Sequence, residues 1–136
     1  VDVIQVPFNL LDNSNKRSHI LKKAKEKGKI VYSRSVFLQG LFFKETNDSN
    51  EIVVKLNDEL KKIKNISKTN DLNLSDLALG YCLSKNYIDK VIFGVDSIKQ
   101  LKSNLKSIFY NLDLDIISSI EEINVKNQNL LNPSLW

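Results

Sequence analysis

Three short β-branched runs separated by amphipathic stretches constrain this chain more than any other feature. Val1 to Phe8 is rich in Val and Ile, Lys29 to Ser35 repeats the pattern, and Val91 to Phe93 is a third run. Between them the apolar residues fall at helical spacing. Strands that alternate with helices pair in parallel, joined by right-handed crossovers. The order read from the chain is strand, helix, strand, helix pair, strand, helix, helix. That order places the fold in the α/β class.

Local signals set the element boundaries. Pro7 ends the first ladder, because it has no N–H to donate. Asp12-Asn13-Ser14-Asn15 is turn chemistry, and a helix is expected from about Lys16 to Lys27 with Ile20, Leu21 and Ala24 inward. Gly28 is its stop. The apolar segment Phe37 to Phe43 contains Gly40 and reads as a partly buried loop. Lys44 to Asn50 is polar. One helix is expected from about Ile52 to Thr69, striped by Leu56, Leu60, Ile63 and Ile66. A second, capped by Ser75, runs through about Ser84 with Leu77, Ala78, Tyr81 and Cys82 inward. Asp113 to Ile123 is the last helix, and Asn127 to Trp136 is an extended tail.

The segment Val91 to Asn104 carries the strongest chemical signal. A strand meets Gly94, and Asp96-Ser97-Ile98-Lys99-Gln100 then opens a helix with an S-x-x-Q capping box. That helix carries Ile98, Leu101, Leu105 and Ile108 on one stripe. A helix start offers unpaired N–H groups and partial positive charge, which suits phosphate. An upstream junction, Arg34 to Gly40, also follows a strand. If both strands share one parallel sheet, the two junctions lie on the same edge and can serve one ligand.

The chain has 136 residues, enough for one domain with a real core. No apolar run approaches a membrane span. The formal charge is +4, but the lysines fall on wet helix faces without interleaved aromatics, so a nucleic-acid partner is not expected. Cys82 is the only cysteine and reads as a buried apolar residue, which makes a cytoplasmic setting the default. The sequence holds no methionine, and Val1 to Val6 already reads as strand. The chain is therefore expected to be a piece of a longer protein.

Five segments together resemble the aldo-keto reductase family. They are Val3 to Asp12, Arg34 to Leu41, Leu74 to Ser84, Val91 to Asn104 and Asn132 to Trp136. The match is to the C-terminal half of a (β/α)8 TIM barrel, with residues 1–136 forming strand-helix units six to eight plus the C-terminal helix and tail. The resemblance implies an oxidoreductase that uses NADPH, with NADH as the alternative, to reduce an aldehyde, ketone or sugar carbonyl. It implies that Gln5 holds the nicotinamide carboxamide. Ser35 to Gly40, including Phe37 and Gln39, match the pyrophosphate loop. Gly94, Asp96, Ser97, Gln100 and Asn104 match the adenosine-phosphate site.

The sequence departs from the family pattern at four places. Arg34 stands where many members have an aromatic that stacks on the nicotinamide, and its planar guanidinium can stack there or point at substrate. Val36 stands where many have proline, Gln100 where many have Arg or Lys, and Ser103 where many have Glu. The family's Tyr, Lys, Asp and His set belongs to the first half of the barrel, so no catalytic residue is assigned here. His19 sits on a lysine-rich helix and reads as solvent-facing. Glu121-Glu122 reads as a wet face, and no metal-ligand spacing occurs. The expected partners are a small carbonyl substrate, the missing N-terminal half and, for an isolated half with bare strand edges, another copy of itself. A non-catalytic dinucleotide-binding or regulatory subunit with the same barrel is the alternative.

Overall fold

The computed structural model describes residues 1–136. Three strands form one parallel sheet in the order β1-β2-β3: β1 is Val3–Pro7, β2 is Ile30–Arg34 and β3 is Lys90–Val91. Helix α1 (Ser14–Glu26) links β1 to β2. Three helices, α2 (Glu51–Lys55), α3 (Asn57–Thr69) and α4 (Leu74–Leu83), link β2 to β3. Helices α5 (Ile98–Ser107) and α6 (Leu114–Glu121) follow. The α/β alternation and the parallel pairing read from the sequence are both present. No helix is long and apolar enough to cross a membrane.

Helix α1 ends as its sequence requires. Gly28 takes φ +69°, its N–H donates to Lys25 O at 2.8 Å, and the N–H of Lys29 donates to Ala24 O at 3.0 Å. This paired closure satisfies two orphan carbonyls and uses the left-handed conformation that glycine adopts without strain. At the other end Asn13 caps the helix by accepting from Asn15 N. Leu21 is buried and His19 is exposed, as expected, but Ile20 faces out.

β3 is shorter than the expected Val91 to Phe93. Asp89 sets its start: its N–H donates to Val31 O at 2.9 Å, and its carboxylate accepts from Val31 N at 2.7 Å. The last bond to β2 is from the Ile92 N–H to Ser33 O at 2.8 Å, after which Phe93 and Gly94 leave the sheet toward α5.

Several elements differ from the reading above. The stretch Ile52 to Thr69 is broken at Leu56, which caps α2 and precedes α3 with its side chain buried. The cap of α4 is Asn73, whose side chain accepts from Asp76 N at 2.8 Å; Ser75 lies in the first turn. Asn and Ser are nearly equal as caps, so pattern alone does not rank them. Leu38–Phe43 forms short 3-10 turns broken by a non-helical kink at Gln39 and Gly40, and the tail forms two 3-10 helices, Gln128–Leu131 and Pro133–Leu135.

The core is one cluster of 26 buried residues, in which Phe8 stacks on Tyr81 with ring centroids 5.5 Å apart. Cys82 lies within it, and burial pushes its thiol pKa up. Glu121 corrects the wet-face reading. It is half-buried, accepts from Tyr81 Oη at 3.3 Å and pairs with Lys85, while Glu122 is exposed. The apolar stripe of α5 is the largest reversal. Ile98, Leu101, Leu105 and Ile108 are exposed, and Asn104 and Ser107 are buried instead. The stripe turns away from α4, which α5 packs against.

Candidate cofactor site

The C-terminal ends of the parallel strands carry two adjoining clefts. The larger, of about 600 Å³, runs from the segment Arg34 to Gly40 across to Ile92 through Asp96 and onto α5 at Gln100, Ser103 and Asn104. Clefts of about 300–1,000 Å³ commonly take small molecules. The two junctions singled out in the sequence thus share one edge and face one space.

The first wall is built on a strained turn. Ser35, Leu38 and Gln39 have φ of 59°, 45° and 56°, followed by Gly40 at 76°. Phe37, at φ −99° and ψ 4°, precedes left-handed Leu38, a right-to-left alternation of the kind in which successive backbone N–H groups make a concavity for anions. The turn is held from the loop after β1. Asn9, fully buried, donates from Nδ2 to Ser35 O at 3.1 Å, while its Oδ1 accepts from Leu11 N and Asp12 N, both at 2.9 Å. Val36 and Phe37 line the cleft, and their N–H groups have no acceptor in the protein. Val36 is only 1 % exposed, so its donor is an orphan of the kind that folded proteins rarely leave unpaired.

The second wall is the start of α5. Ser97 Oγ accepts from Gln100 N at 3.1 Å, completing half of the capping box. The other half is shifted by one residue, because Gln100 Oε1 accepts from Asp96 N at 2.7 Å. Asn104 is 6 % exposed, lines the cleft, and its side-chain amide makes no hydrogen bond within the protein. No buried side-chain polar atom lacks a partner, so the Asn104 amide opens onto the cleft, where its donors and acceptor are free to pair with a guest. Arg34 and Asp96 are the only charged side chains in the lining.

Of the residues named from sequence, Arg34, Ser35, Phe37, Gln39, Gly40, Gly94, Asp96, Gln100 and Asn104 line this one cleft. Gln5 and Ser97 do not. Gln5 sits mid-strand, paired with Tyr32, and is exposed away from both clefts. Ser97 is adjacent, with its oxygen committed to the cap. Ser75, Phe43 and Ser103 also line the cleft, beyond the residues expected there. Ser103 was legible, because it lies three residues beyond Gln100 on the same helix face. No cluster of His, Cys, Asp and Glu is arranged to hold a metal.

The residues present fit a dinucleotide: unpaired N–H donors at one strand end, an unpaired amide at the next and a cleft joining them. This is the layout of a nucleotide-binding α/β protein, with the ligand outside the carboxyl ends of parallel strands. A family model described as the aldo/keto reductase family matches residues 1–125. The chain belongs to that family.

Solved structures agree on the fold. The aldo-keto reductase AKR11C1 from Bacillus halodurans, in its apo and holo forms, superposes with a TM-score of 0.75 at 26% identity, covering 93% of this chain and 44% of that one. Gox0644 in its apoform gives 0.64 at 17% identity, covering 92% and 39%. A point mutant of Gox0644 in complex with NADPH gives 0.62 at 16% identity, covering 91% and 38%. The present chain therefore spans less than half the length of these proteins. None of the curated proteins compared matches it.

Proposed function

We propose that this chain is the cofactor-holding half, units six to eight, of an oxidoreductase that uses NADPH, or NADH, to reduce a carbonyl compound. The observation that carries the reading is Asn104: a buried residue whose side-chain amide, without a partner in the protein, opens onto a cleft whose far wall holds the orphan N–H of Val36. The reduced nicotinamide supplies a hydride to the carbonyl carbon and is itself oxidised, while the carbonyl oxygen gains a proton. Val36 and Phe37 offer N–H groups to the pyrophosphate, Asn104 meets the adenine edge, and the α5 N-terminus favours the phosphate end. This chain excludes water from one side of the cofactor and orients it. The proton donor belongs to the other half of the barrel.

That half also accounts for two exposed surfaces. The free edge of β1 and the apolar stripe Ile98, Leu101, Leu105 and Ile108 are surfaces that flanking βα units would cover. A barrel of about 250 residues leaves roughly 110 or more to be supplied. A buried lone thiol fits a reducing, cytoplasmic setting.

The test is absorbance at 340 nm with NADPH and a panel of aldehydes and ketones. The whole protein should oxidise NADPH and the 136-residue chain alone should not. Asn104→Ala in the whole protein should weaken NADPH binding by roughly 1 kcal/mol or more. Turnover by the isolated chain would refute the placing of the chemistry, and tight NADPH binding without turnover by the whole protein would favour a regulatory subunit.

A further inference from the structure

We infer that Arg34 anchors an anionic group of the substrate, so that the preferred carbonyl compound carries a carboxylate or a phosphate. The inference rests on the reductase reading above and adds the substrate class to it.

Arg34 closes β2 and pairs in register with Pro7, the last residue of β1. It lines the cofactor cleft, and it also lines the second, smaller cleft of about 230 Å³. This second cleft lies between the strand ends and the tail, which contributes Gln128, Leu131 and Asn132. Apart from Leu131 and the rings of two prolines its lining is polar or charged, so a hydrocarbon guest finds little to bury against.

The charges in that cleft do not cancel. Arg17 is bound edge-on to the buried Asp12, with Nε to Oδ1 at 2.8 Å and Nη2 to Oδ2 at 2.7 Å. That pair is neutral overall, with the Arg17 fork committed to Asp12. Arg34 makes none of the protein's ion pairs, and its one side-chain hydrogen bond is from Nη1 to Ser35 Oγ at 3.2 Å. The second cleft therefore carries one uncompensated positive charge, on a guanidinium with most of its donors free.

The cofactor does not need that charge. On the far side of Ser35 its pyrophosphate is offered the N–H groups of Val36 and Phe37 in the other cleft. A guanidinium can lay its face on a ring while its edge donates two parallel hydrogen bonds to a carboxylate or phosphate. A neutral substrate that closed this cleft would strip water from Arg34 and return nothing. An anionic one satisfies it and is turned so that its carbonyl lies toward the nicotinamide end. In the reaction the carbonyl π bond opens as the C–H bond forms from the nicotinamide's hydride. The oxygen takes one proton, and the anionic group is unchanged.

The test compares matched pairs in the whole protein with NADPH: 4-formylbenzoate against its methyl ester, and glyceraldehyde 3-phosphate against glyceraldehyde. At least one anion should show a kcat/KM about tenfold or more above its neutral partner, carried mainly by KM, and the better pair tells carboxylate from phosphate. Arg34→Ala should bring that ratio close to one, and Arg34→Lys should restore part of it. Equal rates within both pairs in the wild type overturn the inference and leave the reductase reading intact. So does a variant that slows anion and neutral partner by the same factor, because Arg34 then serves the cofactor or the fold. Failure to reduce any carbonyl overturns the reductase reading itself.

Discussion

Asn9 and Ser35, twenty-six residues apart, are joined by a single 3.1 Å hydrogen bond from the Asn9 amide to the Ser35 carbonyl. The loop after β1 thereby fixes the residue that opens the strained turn after β2. Two strand ends are locked together at the point where the cofactor cleft begins. Asn9 touches neither cleft, so its role is to position the turn.

Asn9→Ala removes three hydrogen bonds, two of them buried, and leaves the Leu11 and Asp12 N–H groups unpaired. It is expected to cost about 2–4 kcal/mol of stability. NADPH affinity should fall as well, because the turn loses its tether. Urea denaturation with a parallel NADPH titration measures both. A stability change below about 0.5 kcal/mol would show that the turn holds itself.

Gln39 and Gly40 share left-handed backbone, so opposite substitutions should have opposite effects. A Cβ built on Gly40 meets nothing within 4 Å, so Gly40→Ala acts through the backbone alone. At φ +76° it should cost about 1 kcal/mol. Gln39→Gly relieves the same strain and should gain about 0.5 kcal/mol. Thermal melts of the two variants beside the wild type decide this, and a shift in the same direction for both would contradict the strain argument.

The Glu121 carboxylate links α6 to α4 through Lys85 and the Tyr81 hydroxyl. Burial disfavours its ionised form, but the hydrogen bonds, led by the one from Lys85, outweigh this and hold its pKa below the ordinary value. A depressed carboxylate stabilises the fold above its unfolded pKa of about 4.3, and that stability is lost as pH falls through the folded value. Glu121→Gln should therefore be less stable than wild type by about 1–2 kcal/mol at pH 7. The gap should close below about pH 4. Denaturation curves across the acid range up to neutrality test it, and a gap that widens in acid would reverse the sign.

The parts of the fold set by local chemistry were legible in the sequence. β-Branched runs marked the strands, Gly28 the end of α1, and the two junctions the edge that carries the cleft. Tertiary contacts were not legible. The stripe on α5 has a clean helical period, but the face that packs on α4 is built from Asn104 and Ser107. Periodicity reports which face is apolar and is silent on what lies opposite. Glu121 looked wet because Lys85 and Tyr81 are 36 and 40 residues away in sequence. Asn9 lies in the loop after β1, and nothing local marks Ser35 as its partner. Leu56 continued a helical stripe while interrupting the helix, because a buried leucine serves the core in either backbone state.

The central claim is that one dinucleotide spans the two strand-end junctions. A crystal structure of the whole protein with NADPH tests it most directly. Pyrophosphate oxygens should lie within about 3.2 Å of the Val36 or Phe37 nitrogen, with the adenosine end against Asn104. A dinucleotide bound with neither junction in contact, or at one junction with its other end directed away from the second, would contradict the account.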